Sequence, residues 1–294
     1  MRVLQRRPGG HEIWDGDRYL RVFTTADGLV LTAVENRGSI DAPDVRFSIL
    51  AGAPSAQTRR SLEQALARML GLSVDPAPLH GAAMRLRALR PIALSLRGMR
   101  PPRFATLFET FGNVVPFQQL SLDAGAAIVR RLVERFGEQV SHGGKSYAAF
   151  PQASVIAGAR LPPLLACGLS RAKAESLRSL AKAVESGQVR EEVLTALPAS
   201  AALEELIALR GIGPWSAALV LLRGFGRLEV FPPGDSGAVR GLTGLLRLRS
   251  PDSLARVIER FGDYRGYLYL CGLGGSLLAK GLIRGADAAS MDRP

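Results

Sequence analysis

No feature narrows the possible folds of this chain more than the run Leu209-Arg210-Gly211-Ile212-Gly213-Pro214-Trp215-Ser216-Ala217. Two glycines one residue apart let the backbone turn sharply and come close to another surface, because neither carries a Cβ. Pro214 suits the first position of a helix, where a missing N–H costs nothing. The flanking stretches, Ala201 to Arg210 and Trp215 to Arg223, read as short helices. The segment therefore predicts an αα-hairpin whose second helix begins with free amides, and such an N-terminus readily holds a phosphate. Taken alone, an ordinary glycine turn between packed helices explains it equally well. The sequel, Glu229-Val230-Phe231-Pro232-Pro233-Gly234-Asp235-Ser236-Gly237, changes the balance. Asp235 follows a rigid bend and heads another helical segment. Aspartate is a good N-cap, and capping would fix its carboxylate at the mouth of a cleft.

The rest of the chain supplies a frame. Tyr19 to Thr25, Leu29 to Glu35 and Val45 to Leu50 are short β-branched or alternating runs, with turn chemistry at Asp27-Gly28 and Arg37-Gly38. Thr58 to Leu70 is helical by period, with Leu62, Ala65, Leu66, Met69 and Leu70 on one face. Gly71 stands where a helix C-terminus wants a positive φ. Ser121 to Phe136 repeats Ile128, Leu132 and Phe136 at four-residue spacing and stops at Gly137. Ser170 is placed to cap a helix running through Leu177, Leu180, Ala181 and Val184 to Gly187. The expected fold class is α+β: a small N-terminal antiparallel sheet with a helix, then a mostly α-helical region. Arg100-Pro101-Pro102 marks the expected boundary, giving an α+β domain over residues 1–100 and an all-α region over residues 101–294.

Composition excludes several classes. A hydrophobic fraction of 47% supplies substantial cores and argues against disorder. No apolar run approaches the roughly 18 residues that span a bilayer. Tyr267 to Ala279 comes nearest, but Gly272, Gly274 and Gly275 interrupt it, and they suit helix–helix contacts better than a phosphate loop. Met1 to Asp15 has arginines without an apolar stretch, so no signal peptide is expected. Cys167 and Cys271 are too few for a disulfide framework or a four-cysteine cluster. His11, His80 and His142 lack ligand spacing. The reading is therefore no metal, no cofactor, no membrane and a reducing cytoplasm. Ser170 and Lys173 have the spacing of a nucleophile pair, but no partner motif accompanies them and capping is a sufficient explanation. The formal charge of +12 favours a polyanion, nucleic acid first. Since arginine, alanine and leucine dominate together, compositional bias explains that charge as well as binding does.

The hairpin, followed twenty positions after Trp215 by Asp235, resembles the signature of the helix-hairpin-helix (HhH-GPD) DNA glycosylases. The closest branch is the 3-methyladenine DNA glycosylase II family. Val114-Val115-Pro116-Phe117-Gln118-Gln119-Leu120-Ser121 is similar to the start of that family's first helical-domain helix. Phe150-Pro151 and Gly168-Leu169-Ser170-Arg171-Ala172-Lys173-Ala174 are similar to a further family segment. The match extends from about Arg100 to Arg265, and the N-terminal part is similar only in plan. The resemblance implies a monofunctional DNA glycosylase, acting as a monomer, that flips a damaged, alkylated purine out of double-stranded DNA and hydrolyses its N-glycosidic bond. A glycosylase for uracil, hypoxanthine or an oxidised purine is one alternative. A non-catalytic DNA-binding protein is another, though a pure binder gains nothing from an acid set against a phosphodiester.

The same resemblance implies the site. Asp235 is the essential carboxylate, and Trp215, Leu219, Ser236 and Leu273 line the base pocket. Gly211, Gly213, Pro214 and Ser216 contact DNA at the hairpin, and either Gln119 or Leu120 fills the gap left by the flipped nucleotide. Lyase branches carry a lysine where this chain has Trp215, so base removal without strand cleavage is expected. Family aromatics match Leu219 and Leu273, and Tyr267 or Tyr269 is left as a possible compensation.

Overall fold

The computed structural model describes residues 11–248, 251–283 and 285; residues 1–10, most of the arginine-bearing start, lie outside the described residues. Four antiparallel strands form the first sheet in the order of the chain: β1 (Glu12–Asp15), β2 (Arg18–Thr25), β3 (Gly28–Asn36) and β4 (Val45–Ala51). Three of them match the alternating runs; β1 went unread. Helix α1 (Ala56–Met69) covers one face, its start fixed by Ser55, whose side chain accepts from the Thr58 amide. It packs Leu66, Met69 and Leu70 on Tyr19 and Val34. Gly71 has the positive φ that its position requires, +63°.

The other face of the sheet is covered too. A second hairpin, β5 (Gln139–His142) and β6 (Lys145–Ala148), sets Tyr147 and the following Ala149 against Leu20, Val22, Leu31 and Ala33. Cover on both faces is why β2 buries the consecutive residues Tyr19 to Val22 rather than every second one. Arg21 is among them, and its guanidinium donates to Glu109 on α4 (Leu107–Val114), joining the sheet to the helices.

The remaining helices enclose one large core. They are α2 (Pro76–Met84), α3 (Arg90–Ser95), α5 (Leu122–Phe136), α6 (Ala153–Gly158), α7 (Leu161–Ala166), α8 (Arg171–Glu185), α9 (Glu191–Ala196), α10 (Ala199–Ile207), α11 (Pro214–Val220), α12 (Ser236–Leu245), α13 (Pro251–Arg260) and α14 (Arg265–Ala279). Helices α2 and α3 precede Arg100, yet Leu79, Ala83, Ala93 and Leu96 belong to this core. The glycines of α14 are contact points: a Cβ at Gly272 would meet Leu242, one at Gly274 would meet Leu96, and one at Gly275 would meet Ile92. The helix after the glycine turn ends earlier as an α-helix than its period suggested. A π-helical turn, Leu221–Phe225, follows it. There the Gly224 carbonyl, one of the C-terminal carbonyls that a helix leaves without an internal partner, accepts from Arg68 and twice from Arg103. Among the described residues, no helix is long and apolar enough to cross a membrane.

Candidate active site

The glycine turn joins α10 to α11 as the sequence predicts, but its two glycines answer to different demands. Gly211 sits at φ +85°, and a Cβ there would lie 2.1 Å from Ser176 Oγ of α8. Gly213 is extended, at φ −99° and ψ −179°. A Cβ at Gly213 would meet nothing in the protein. Pro214 is the first residue of α11, which has no side-chain cap, so the first amides of that helix lack intrahelical partners. Ser216 is buried; its Oγ accepts from Gln118 Nε2 at 2.9 Å, and the same nitrogen donates to the Gly211 carbonyl at 2.8 Å. The Ser216 hydroxyl therefore serves an internal tie between the hairpin and the 115–120 loop.

That loop carries Gln119 and Leu120, both exposed. Gln119 has a φ of +55°, a left-handed conformation that a residue with a Cβ adopts at a cost. Two neighbours enforce it. Gln118 is tied to the hairpin as described, and Lys173 Nζ donates to the carbonyls of Pro116 (3.2 Å) and Gln118 (2.5 Å). The spacing of Ser170 and Lys173 is thereby explained without nucleophilic chemistry. Ser170 caps α8, its Oγ accepting from the Lys173 amide, while the ammonium of Lys173 holds the loop. Partial burial lowers the Lys173 pKa from its ordinary value.

Asp235 is the N-cap of α12, as its place after the bend suggests. Its Oδ1 accepts from the Ala238 amide at 2.8 Å. Its Oδ2 accepts from two side chains: Trp215 Nε1 at 2.9 Å and the Tyr269 hydroxyl at 3.0 Å. Trp215 and Asp235, twenty positions apart, are thus direct partners. Trp215, Leu219 and Leu273 are half-buried and pack against the large core, while Ser236 is exposed at the start of α12.

Of the two tyrosines on α14, only Tyr269 reaches the carboxylate. Its ring stands edge-on to Phe231, centroids 5.7 Å apart, in the segment leading to Asp235. Tyr267 points into the core beside Cys271; burial pushes its hydroxyl pKa up, and pushes the Cys271 thiol up to about 12. The sequence held a signal for Tyr269. It lies four residues before Leu273, and residues four apart share a helix face.

The arrangement suits electrostatic work. An ionised carboxylate has about four lone-pair sites, and three donors from three elements occupy three of them among the described residues. The carboxylate is oriented by α11, α12 and α14 together, and stands in the same assembly as the hairpin turn and the exposed loop.

A sequence model described as "HhH-GPD superfamily base excision DNA repair protein" matches residues 114–261, a span containing the loop, the hairpin and Asp235. The chain is similar to DNA-3-methyladenine glycosylase 2 of Escherichia coli, with 29% identity over 256 residues, covering 85% of this chain and 86% of that protein. It is also similar to a DNA-3-methyladenine glycosylase of Bacillus subtilis, 28% identical over 188 residues. That alignment takes in 64% of this chain and spans only 62% of the Bacillus protein. Among solved structures, the fold is similar to a 3-methyladenine DNA-glycosylase from Archaeoglobus fulgidus, with a TM-score of 0.77 and 25% identity over 94% of this chain and 93% of that one.

Proposed function

Since this chain belongs to the HhH-GPD superfamily of base excision DNA repair proteins, we propose that it is a monofunctional DNA glycosylase excising alkylated purines. The observation that carries the reading is Asp235, a carboxylate oriented by the hairpin's own Trp215 and by Tyr269. A base inside a duplex stack is out of reach of a cleft, so the target nucleotide is extruded first. The amides about Gly211 and Gly213 hold a phosphate beside the lesion. Gln119 or Leu120, at the tip of the loop, takes the space of the departed nucleotide. As the N-glycosidic bond breaks, its electron pair leaves with the base, and positive charge develops on the sugar. A fixed carboxylate stabilises that charge strongly because it needs no reorganisation. A water oxygen then bonds to the anomeric carbon and loses a proton, leaving an abasic site. A cationic alkylated base against the Trp215 ring gains about 0.5–2 kcal/mol from cation–π attraction.

Strand cleavage is not expected. The position next to the turn is Trp215, which has no amine, and Lys173 is occupied with two carbonyls. The reading also takes the protein to act as a monomer on double-stranded DNA. The test uses duplexes each carrying one lesion, with base release and strand integrity followed separately. Wild type should release methylated purines, leave the strand intact and give no adduct on borohydride treatment. Asp235→Asn should abolish release while binding lesion DNA nearly as well as wild type. Substantial turnover by that variant would remove Asp235 from the mechanism, and a trapped adduct would make the enzyme a lyase.

A further inference from the structure

The two oxygens of Asp235 are not equivalent. Oδ2 accepts from both Trp215 Nε1 and the Tyr269 hydroxyl, whereas Oδ1 accepts from one amide, that of Ala238. We propose that Tyr269 is a positioning residue which, with Trp215, clamps Oδ2 so that Oδ1 is the oxygen presented to the sugar. The inference rests on the glycosylase reading and concerns how its carboxylate is aimed.

The χ2 torsion of an aspartate is broad and roughly two-fold, so an untethered carboxylate exchanges its oxygens easily. Here the rotation is opposed from three sides. Trp215 approaches from α11, Tyr269 from α14, and the Ala238 amide belongs to α12 itself. With both lone-pair sites of Oδ2 taken and one of Oδ1, the remaining acceptor site among the described residues is on Oδ1. The space beside Oδ1 is kept clear by Gly237, where a Cβ would stand 3.3 Å from that oxygen. Tyr269 is itself well held. It is 8% exposed, lies inside a fifteen-residue helix and abuts Phe231 edge-on. The hydroxyl and the ring thus do separate things: the ring packs, and the hydroxyl aims the carboxylate.

Three variants separate these roles, each measured for single-turnover base release, for affinity to a duplex bearing a tetrahydrofuran abasic-site analogue, and for the urea midpoint. Tyr269→Phe keeps the ring and removes the donor. Its release rate should fall about 10- to 100-fold with affinity unchanged, less than the loss of a donor acting directly on a transition state. Tyr269→Leu should fall about as far, because it also lacks the hydroxyl. Gly237→Ala, in the first turn of a helix where alanine is favourable, should keep its fold and affinity yet slow release by crowding Oδ1. Wild-type release by Tyr269→Phe overturns the positioning role, whatever Tyr269→Leu does. Wild-type release by Gly237→Ala overturns the assignment of Oδ1. Asp235→Asn tells these failures from failure of the parent reading. If it still releases bases, the catalytic reading falls; if it is inactive while Tyr269→Phe is unaffected, only the present inference falls.

Discussion

Gly211 and Gly213 show how much one residue type conceals. Both were visible as a turn, yet Gly211 is required by the protein itself, through its φ of +85° and its contact with Ser176, and Gly213 by nothing within the protein. Alanine at position 211 would force a side chain into a left-handed backbone and against Ser176. Gly211→Ala should therefore lose about 2–4 kcal/mol of stability, read from urea denaturation. Gly213→Ala should stay within about 0.5 kcal/mol of wild type, as surface substitutions do. Its methyl would instead obstruct a DNA backbone drawn up to the turn, so affinity for a lesion duplex should drop. Equal destabilisation by the two variants would mean that Gly213 serves the fold rather than the approach of DNA. The sequence shows which positions lack a Cβ but not which way a missing Cβ would point. For the same reason the sequence does not show that the Ser216 hydroxyl faces Gln118. Asp235 was legible because its role as a cap is local, set by the bend before it and the helix after it.

Elements whose cause is local were equally legible. The helix capped by Ser170, the helix with four-residue spacing up to Phe136 and three strands follow from period, cap and turn residues, and the structure has them, adding Ser121 as the second helix's cap. What the sequence hid depends on distant partners. The strands β5 and β6 have four residues each and no apolar alternation of note, and a two-stranded hairpin is marginal alone. It is held by docking on the sheet. The end of the π-helical turn is satisfied from afar, by arginines 121 and 156 positions away that reach the Gly224 carbonyl. The 115–120 loop belongs to this second kind: Lys173, from α8, holds it by two carbonyls while Gln119 stays left-handed. If the loop is the wedge, its rigidity matters most where a base pair must be broken. Lys173→Met should slow single-turnover release by about 10-fold from a lesion paired in a duplex, and less from a lesion opposite an abasic site, where extrusion costs less. An equal loss on both substrates would assign Lys173 another role.

At the scale of the whole molecule, the sheet and the helices are joined by a buried charge pair as well as by apolar contact. Arg21 from β2 and Glu109 from α4 are each about 2% exposed, and His11 Nε2 stands 3.6 Å from Glu109 Oε1. Burial alone would raise the Glu109 pKa. The Arg21 guanidinium, with His11 adding to it, outweighs burial and brings the carboxyl from 4.5 down to about 2. Arg21 is shifted further up, the matching direction for its side of the pair. A pair like this is weak evidence of net stabilisation over an apolar equivalent, but breaking it leaves an uncompensated buried charge. Glu109→Gln should therefore cost about 3–5 kcal/mol at neutral pH. The pH dependence has a definite sign. Because the folded pKa lies below the unfolded one, the unfolded chain binds the proton first on acidification. The contribution of Glu109 is then complete above about pH 4.5 and is lost as pH falls towards about 2. Urea unfolding at a series of pH values should show wild type losing stability across that window more steeply than Glu109→Gln, so that the gap between them narrows in acid. A gap that is constant from neutral pH to pH 3 would mean that the substitution acts through packing, and that the charge on Glu109 does not hold the sheet to the helices.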